Sequence, residues 1–209
     1  MIATVLLAAG AARRFDGSQK LLAELPVDGG HTPLLRHTAQ GLLEAGLSRL
    51  VVVIGRDADA VRRSLAGLEL RFVTNPGYAS GISSSVCAGV TEAMRLWPEA
   101  AWLSIALGDQ PLGRTGVVET LVRVCANAGT ESNAPRIIAP RFRGNAGNPV
   151  FFASELAPEL LALSGDRGAR PVVERDPARV RYVDFDIPAP LDVNTVEDLA
   201  TLRESEGDA

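Results

Sequence analysis

The chain is poor in the residues that most often carry metal or redox chemistry. Among 209 residues there are two cysteines and two histidines. Cys87 and Cys125 lie far apart with no CxxC pattern, which reads as reduced core or near-core thiols rather than a disulfide or redox pair. His31 and His37 have no cysteine close by, so the usual zinc spacings are missing. No apolar run approaches the roughly 18 residues a membrane span needs. Met1 leads directly into a strand rather than a basic and then apolar leader, so no signal peptide is predicted. The net charge of −4 argues against binding nucleic acid through bulk electrostatics. The expected location is the cytoplasm, with neither membrane nor nucleic acid as a partner.

Familiar catalytic signatures are missing as well. There is no GxGxxG dinucleotide fingerprint and no GxxxxGK[ST] P-loop. The two clustered histidines support no Ser-His-Asp set. Carboxylates at a spacing useful for hydrolysis are absent, apart from the cluster Asp184, Asp186 and Asp192.

What is present is alternation. Hydrophobic residues make up 46% and charged residues 22%, as in ordinary soluble globular proteins. Strands are predicted at Thr4–Ala8, Leu50–Ile54, Leu70–Thr74, Trp102–Leu107, Ile137–Pro140, Val150–Phe152 and Val180–Phe185. Helical spacing fills the intervals: from Thr32 to about Gly46, then Asp57–Leu65, Ile82–Leu96, Val117–Ala126, Glu155–Leu163 and Thr195–Arg203. In the last of these, Thr195 and Asp198 form a capping box. Strand, helix, strand at about twenty-five-residue spacing predicts βαβ units and a mainly parallel, doubly wound α/β sheet. No linker divides the chain. It reads as one domain, 1–209, with a nucleotide-binding part over about 1–112 and an acceptor-binding part over about 113–209.

Ligands of such sheets bind beyond the carboxyl ends of the strands. Three polar signatures fall there: AAGAARRF, NPGYASG and LGDQP. The first follows a buried strand with small residues and then Arg13, Arg14 and Lys20. Backbone N–H groups and cations in that order suit a polyphosphate, although a loop of solvated cations fits the composition equally well. Asp109 ends an apolar strand, where a buried carboxylate needs a positive partner such as a magnesium ion. The other reading is a simple turn aspartate. Gly77 and Gly81 precede Ser83, Ser84 and Ser85 at a helix start, where one serine is expected to cap and the others can meet a base or ribose. Arg143, Arg167 and Arg170 lie in glycine-rich segments and can grip a second anion or stand in solvent. Asp192, just before the final helix, is placed to join Asp109 as a metal ligand.

LLAAGxxxRF, KLL, NPGYASGISSSV, LGDQP, GNPVFF, GDRGAR and DVNTVEDL, in that order, resemble the molybdenum cofactor nucleotidylyltransferases, and within them the cytidylyltransferase branch. The series spans nearly the whole chain. The resemblance implies a Rossmann-like nucleotidyltransferase fold, a three-layer α/β/α sandwich. It implies a Mg2+-dependent reaction of CTP with molybdopterin-bound molybdenum, giving the cytosine dinucleotide cofactor and pyrophosphate. It places Leu7, Ala8, Ala9, Gly10, Asn75, Gly81 and Ser85 at the nucleotide. Arg14 and Lys20 fall on the triphosphate, and Asp109 on the metal with Asp192 or Asn194 beside it. Asn148, Pro149, Asp166, Arg167 and Arg170 face the pterin. Ala8-Ala9-Gly10 and Gln19 stand where guanylyl relatives carry AGG and an aspartate, which favours cytidine. A molybdenum hydroxylase is the implied recipient. Three alternatives remain open: transfer with another base or phosphate acceptor, a non-catalytic molybdenum cofactor-binding insertion chaperone, and a nicotinamide-dependent reductase. The missing glycine fingerprint weighs against the last.

Overall fold

The structure, a computed structural model, describes residues 1–10, 19–27, 30–111, 116–128, 134–193 and 195–207. In chain order the elements are β1 (Ile2–Ala8), β2 (Glu24–Val27), β3 (Gly30–Pro33), α1 (Leu34–Glu44), β4 (Leu50–Ile54), α2 (Ala58–Ser64), β5 (Arg71–Thr74), α3 (Ile82–Leu96), β6 (Trp102–Leu107), α4 (Val117–Ala128), β7 (Ile137–Phe142), β8 (Asn145–Ala146), β9 (Val150–Ala153), α5 (Ala157–Leu161), α6 (Arg170–Arg175), β10 (Val180–Phe185) and α7 (Val196–Gly207).

The central sheet runs β10-β7-β9-β6-β1-β4-β5, with β8 added beside β7. β1 lies between β6 and β4 and pairs with both in parallel. The β4–β5 and β10–β7 pairs are parallel too. β9 runs antiparallel to β6 and β7, and the two-residue β8 antiparallel to β7. The link from β7 to β9 is too short for a crossover helix, so the chain can only turn back on itself.

Alternation along β1 separates the two faces. Leu6 and Ala8 enter a core with Leu35 and Leu42 of α1, Val61 of α2 and Leu121 of α4. Val5 and Leu7 enter the opposite core with Val86 and Val90 of α3, Leu160 of α5 and Val172 of α6. Helices therefore cover both faces, the condition under which strands such as LVVVI read as unbroken apolar runs. The expected α/β/α layering with a mainly parallel sheet is what the structure has.

Three local departures have simple causes. The residues read as the start of the first helix, Thr32 and Pro33, instead end β3, which forms a separate two-stranded sheet with β2. ELPV and GHTP are too short and too proline-marked to show a period of two. The Glu155–Leu163 helix is a 3-10 turn followed by the five residues of α5. After GDRG the chain forms α6, a six-residue helix that contains Val172 and has proline in its first turn. The capping box of α7 is present as expected. Thr195 N donates to Asp198 Oδ2 at 2.8 Å, and Asp198 N donates to Thr195 Oγ1 at 3.1 Å. Leu199 and Leu202 of α7 close a small third core over Leu25 and Leu34, and Arg203 donates to the Glu24 carbonyl at 2.8 and 3.0 Å.

Candidate active site

A cleft of about 770 Å3 opens beyond the carboxyl ends of β1, β4 and β6. Its sheet-side wall is built on the LGD turn. Gly108 N donates to the Leu7 carbonyl at 3.0 Å. Thr38 of α1, wholly inside the protein, donates its hydroxyl to the Gly108 carbonyl at 3.1 Å. Val193 N donates to the Asp109 carbonyl at 3.2 Å, which brings Asp192 to the same wall. Asp109 and Asp192 both line the cleft.

The partner of Asp109 comes from the far side of the loop after β1. Lys20 begins a short 3-10 turn whose Leu21 is buried. Its Nζ donates to Asp109 Oδ2 at 2.5 Å, with the two side chains 17% and 21% exposed. A carboxylate at a strand end is costly to leave alone, and here an ammonium supplies the counter-charge. Lys20 and Asp109, 89 positions apart in sequence, are thus in direct contact inside one cleft.

The helix-side wall is made of α3 and two loops. Gly81 stands at the N-cap of α3 with φ 116°, a conformation that only glycine holds without strain. A Cβ there would lie 2.4 Å from the Gly165 carbonyl oxygen. The closeness has a purpose, because the GDRG loop is fastened to this helix start. Ile82 N donates to Asp166 Oδ1 at 3.1 Å and Ser83 N to the Gly165 carbonyl at 3.2 Å. The Ser83 hydroxyl donates to the Ser164 carbonyl at 3.3 Å. The expectation that one of the three serines caps α3 is therefore corrected: no serine side chain does so, and Asp166 does it across 84 positions of sequence. Ser83, Ser84 and Ser85 lie past the N-cap, where their hydroxyls turn to other partners.

Leu7, Ala9, Gly10, Lys20, Gly81, Ser85, Asp109, Asp166 and Asp192 all line the cleft. The other expected residues lie elsewhere. Ala8 points its methyl into the core on the opposite face of the sheet, as alternation demands. Asn75 is buried behind the wall. It donates to the hydroxyls of Ser84 at 2.9 Å and Ser85 at 3.0 Å, and accepts from Gly77 N at 2.9 Å. Asn148 donates to Gln110 at 3.0 Å, so it ties the GNP segment to the LGDQP turn from outside the lining; Pro149 is outside the lining too. Arg167 and Arg170 both pair with Glu174, at 2.5 and 2.6 Å. Arg170 first, then Arg167, hold the Glu174 carboxyl below its usual range. Arg143 faces Asp186 at 3.5 Å, and Asp184 is taken by Arg141 at 2.6 Å. Arg13, Arg14 and Asn194 lie outside the described residues.

Sequence reasoning missed Arg56 and Tyr78, which also line the cleft. The signal was present. LVVVI is a buried strand, and its carboxyl end, Gly55-Arg56, is a fourth strand-end signature of the kind recognised after β1, β5 and β6.

Asp109 and Asp192, both lining the cleft, offer carboxylate oxygens of the kind a hard divalent ion takes. Such an ion takes one or two carboxylates and fills its shell with phosphate and water oxygens. Among the described residues no group of three or more His, Cys, Asp or Glu gathers to make an all-protein cage.

The model of the MobA-like NTP transferase domain matches residues 4–180. The chain belongs to that family. Nicotine blue oxidoreductase from Paenarthrobacter nicotinovorans is 33% identical over 207 residues, covering 95% of this chain and 94% of that protein. The crystal structure of a homologue of Mycobacterium tuberculosis Rv0371c, from Mycobacterium sp. strain JC1, superposes with TM-score 0.79 at 30% identity. It covers 99% of this chain and 97% of its own. Rv0371c itself, solved in complex with manganese, gives TM-score 0.73 at 28% identity over 97% of each chain. Membership in the MobA-like family makes a nucleoside triphosphate the class of substrate and nucleotidyl transfer the class of reaction. Among the described residues no helix is long and apolar enough to cross a membrane.

Proposed function

We propose that this MobA-like protein transfers CMP from CTP to the terminal phosphate of molybdopterin-bound molybdenum cofactor, releasing pyrophosphate. The observation that carries the reading is the Lys20–Asp109 pair at 2.5 Å in a cleft bounded by Gly10 on one side and Gly81 on the other. Motif order supports cytidine and the pterin acceptor, through Ala8-Ala9-Gly10, Gln19 and GDRGAR.

The reaction is an in-line displacement. A terminal phosphate oxygen of the acceptor bonds to the α-phosphorus of CTP as the bond to the bridging oxygen of the β-phosphate breaks. The attacking phosphate is already ionised near pH 7, so no general base is required. Asp109, with Asp192 beside it, would hold Mg2+, which when bound would offset the negative charge of the triphosphate. Lys20 stands where it can meet the charge that grows on departing pyrophosphate. Backbone groups of Ala9 and Gly10 approach the phosphates closely, since neither carries a bulky side chain. Arg14 belongs to the same phosphate loop in this reading. Asp166, through its hold on Ile82, fixes the wall that carries Ser85. Arg167 and Arg170 face the acceptor, whose phosphate would compete with Glu174 for them.

A second reading has one observation in its favour, the 33% identity with nicotine blue oxidoreductase. Under it the same cleft would bind a nicotinamide nucleotide and pass hydride to an organic acceptor.

One experiment separates the two. The protein is incubated with Mg2+, each of the four NTPs in turn and molybdenum-loaded molybdopterin, and pyrophosphate and dinucleotide are quantified. Pyrophosphate with CTP in preference to the other three is the expected result. Release with none of the four overturns the proposal. Loss of absorbance at the NAD(P)H band with an organic acceptor would establish the second reading.

A further inference from the structure

Arg56 has no role in the scheme above, yet it stands in the cleft. Parallel registers fix its place. Ala8 of β1 is level with Ile54 of β4, and Leu7 is level with Leu107 of β6. Gly10, Arg56 and Asp109 each follow the end of one of these strands by two residues. Asp109, the Ala9–Gly10 turn and Arg56 therefore form a row across the cleft, following the adjacent strands β6, β1 and β4 in that order.

The turn that presents Arg56 is tightly held. A Cβ on Gly55 would lie 2.9 Å from the Ala9 carbonyl oxygen and 2.8 Å from Cγ of Tyr78. Asp57, the next residue but one, has φ 57°, which a non-glycine residue adopts at a cost. Arg56 is thus carried on a turn wedged between the phosphate-side backbone and an aromatic ring. Among the described residues its ionic contact is with its neighbour Asp57 at 3.5 Å, with both side chains nearly half exposed. Lys20, by contrast, is engaged with Asp109. Tyr78, whose ring crowds Gly55 beside Arg56, also lines the cleft, as do Ala79, Ser80, Ile82 and Ser85. A planar heterocycle suits such a wall better than a phosphate.

We infer that Arg56 is a specificity-determining residue that reads the acceptor edge of the nucleobase; the inference rests on the nucleotide-transferase reading of the cleft. A guanidinium has donors only, in a planar fork. It matches a base edge with two adjacent acceptors, such as O2 and N3 of cytosine, and mismatches an edge that alternates donor and acceptor, such as N6 and N7 of adenine. Triphosphate at the Asp109 end and base at the Arg56 end lay the nucleotide along the row just described. The residue would separate bases that offer two adjacent acceptors, cytosine and also guanine through O6 and N7, from adenine, and leave the chemistry at the α-phosphorus to the other end.

Equilibrium binding of CTP, UTP, GTP and ATP with Mg2+ and no acceptor tests this, on the wild type, Arg56→Ala and Arg56→Lys. The wild type is expected to favour CTP over ATP. Arg56→Ala is expected to lose on the order of 10-fold in CTP affinity, the scale of one bidentate base contact, with little change for ATP. Arg56→Lys should fall between, since it keeps the charge and loses the fork. An unchanged melting temperature shows that the variants fold. A wild type that discriminates and an Arg56→Ala variant that discriminates equally well overturn the inference and leave the transferase reading intact. A wild type that binds none of the four overturns both.

Discussion

On the sheet side of the cleft, charge meets charge: Lys20 against Asp109, with Asp192 alongside. On the helix side, hydrogen bonds fasten the start of α3 to the loop behind it. Backbone N–H groups of Ile82 and Ser83 are received by a carboxylate and a carbonyl from the GDRG loop. In the proposed reaction, the first wall has charges that bear on a reacting phosphate. The second wall has shape. Losing a charge on the sheet side should therefore strike turnover, while loosening the helix side should strike binding.

The largest effect is expected from Asp109→Asn or Lys20→Ala. Either removes one charge-stabilising group and should reduce kcat on the order of 100-fold or more, measured as pyrophosphate release, with the fold intact by circular dichroism. Normal turnover in both variants would break the comparison at its strong end. A smaller effect is expected from Asp166→Ala, which leaves Ile82 N without its acceptor. A lost cap costs about 1 kcal/mol of stability, and the displaced wall should raise KM for the nucleotide several-fold while kcat changes little. Asp166→Asn keeps the accepting oxygen and should restore both. If Asp166→Ala lowers kcat with KM unchanged, the carboxylate acts on the chemistry and the two walls are not divided as described.

The smallest effect concerns pH. Glu159 of α5 accepts from Arg179 at 2.7 Å and from Arg175 at 2.8 Å. Arg179 first, with Arg175 adding to it, holds the Glu159 carboxyl below its usual range. A carboxyl whose folded-state pKa is depressed adds stability above its unfolded value and loses it as pH falls. This clasp brackets the GDRG loop, so acid should relax the helix wall before the sheet wall. Below about pH 4, the ordinary range of a glutamate, the melting temperature of the wild type should fall more steeply than that of Glu159→Gln. Parallel curves would remove the clasp from the account.

The same division governs what could be read from the amino-acid order. β4, α3, β6 and β10 have the boundaries that hydrophobic runs and breaker residues indicate: β4 and β6 are buried almost throughout, and α3 keeps a helical period of buried residues. The meeting of LGDQP with the loop after β1 could be anticipated, since both follow neighbouring strands of a doubly wound sheet. Asp166 was singled out as facing the pterin, but its use as a cap for a helix 84 positions earlier leaves no local trace. Arg167 and Arg170 looked available because the spacing to Glu174 matters only once α6 forms. The β2–β3 hairpin was invisible for a related reason: its stability comes from α7 and the small core under it rather than from its own sequence. Arg56 was overlooked even though the strand-end rule applied to it.

The ties that close the cleft join residues 81 to 89 positions apart. Contacts so distant in the chain are slow to find, since each requires a long loop to be closed first. The βαβ units can gather early, whereas the pocket is assembled only when the late segments return to meet the early ones. A partly folded chain with most of its sheet in place would therefore have little hold on a ligand, and the ligand in turn would favour the finished fold over every partial one.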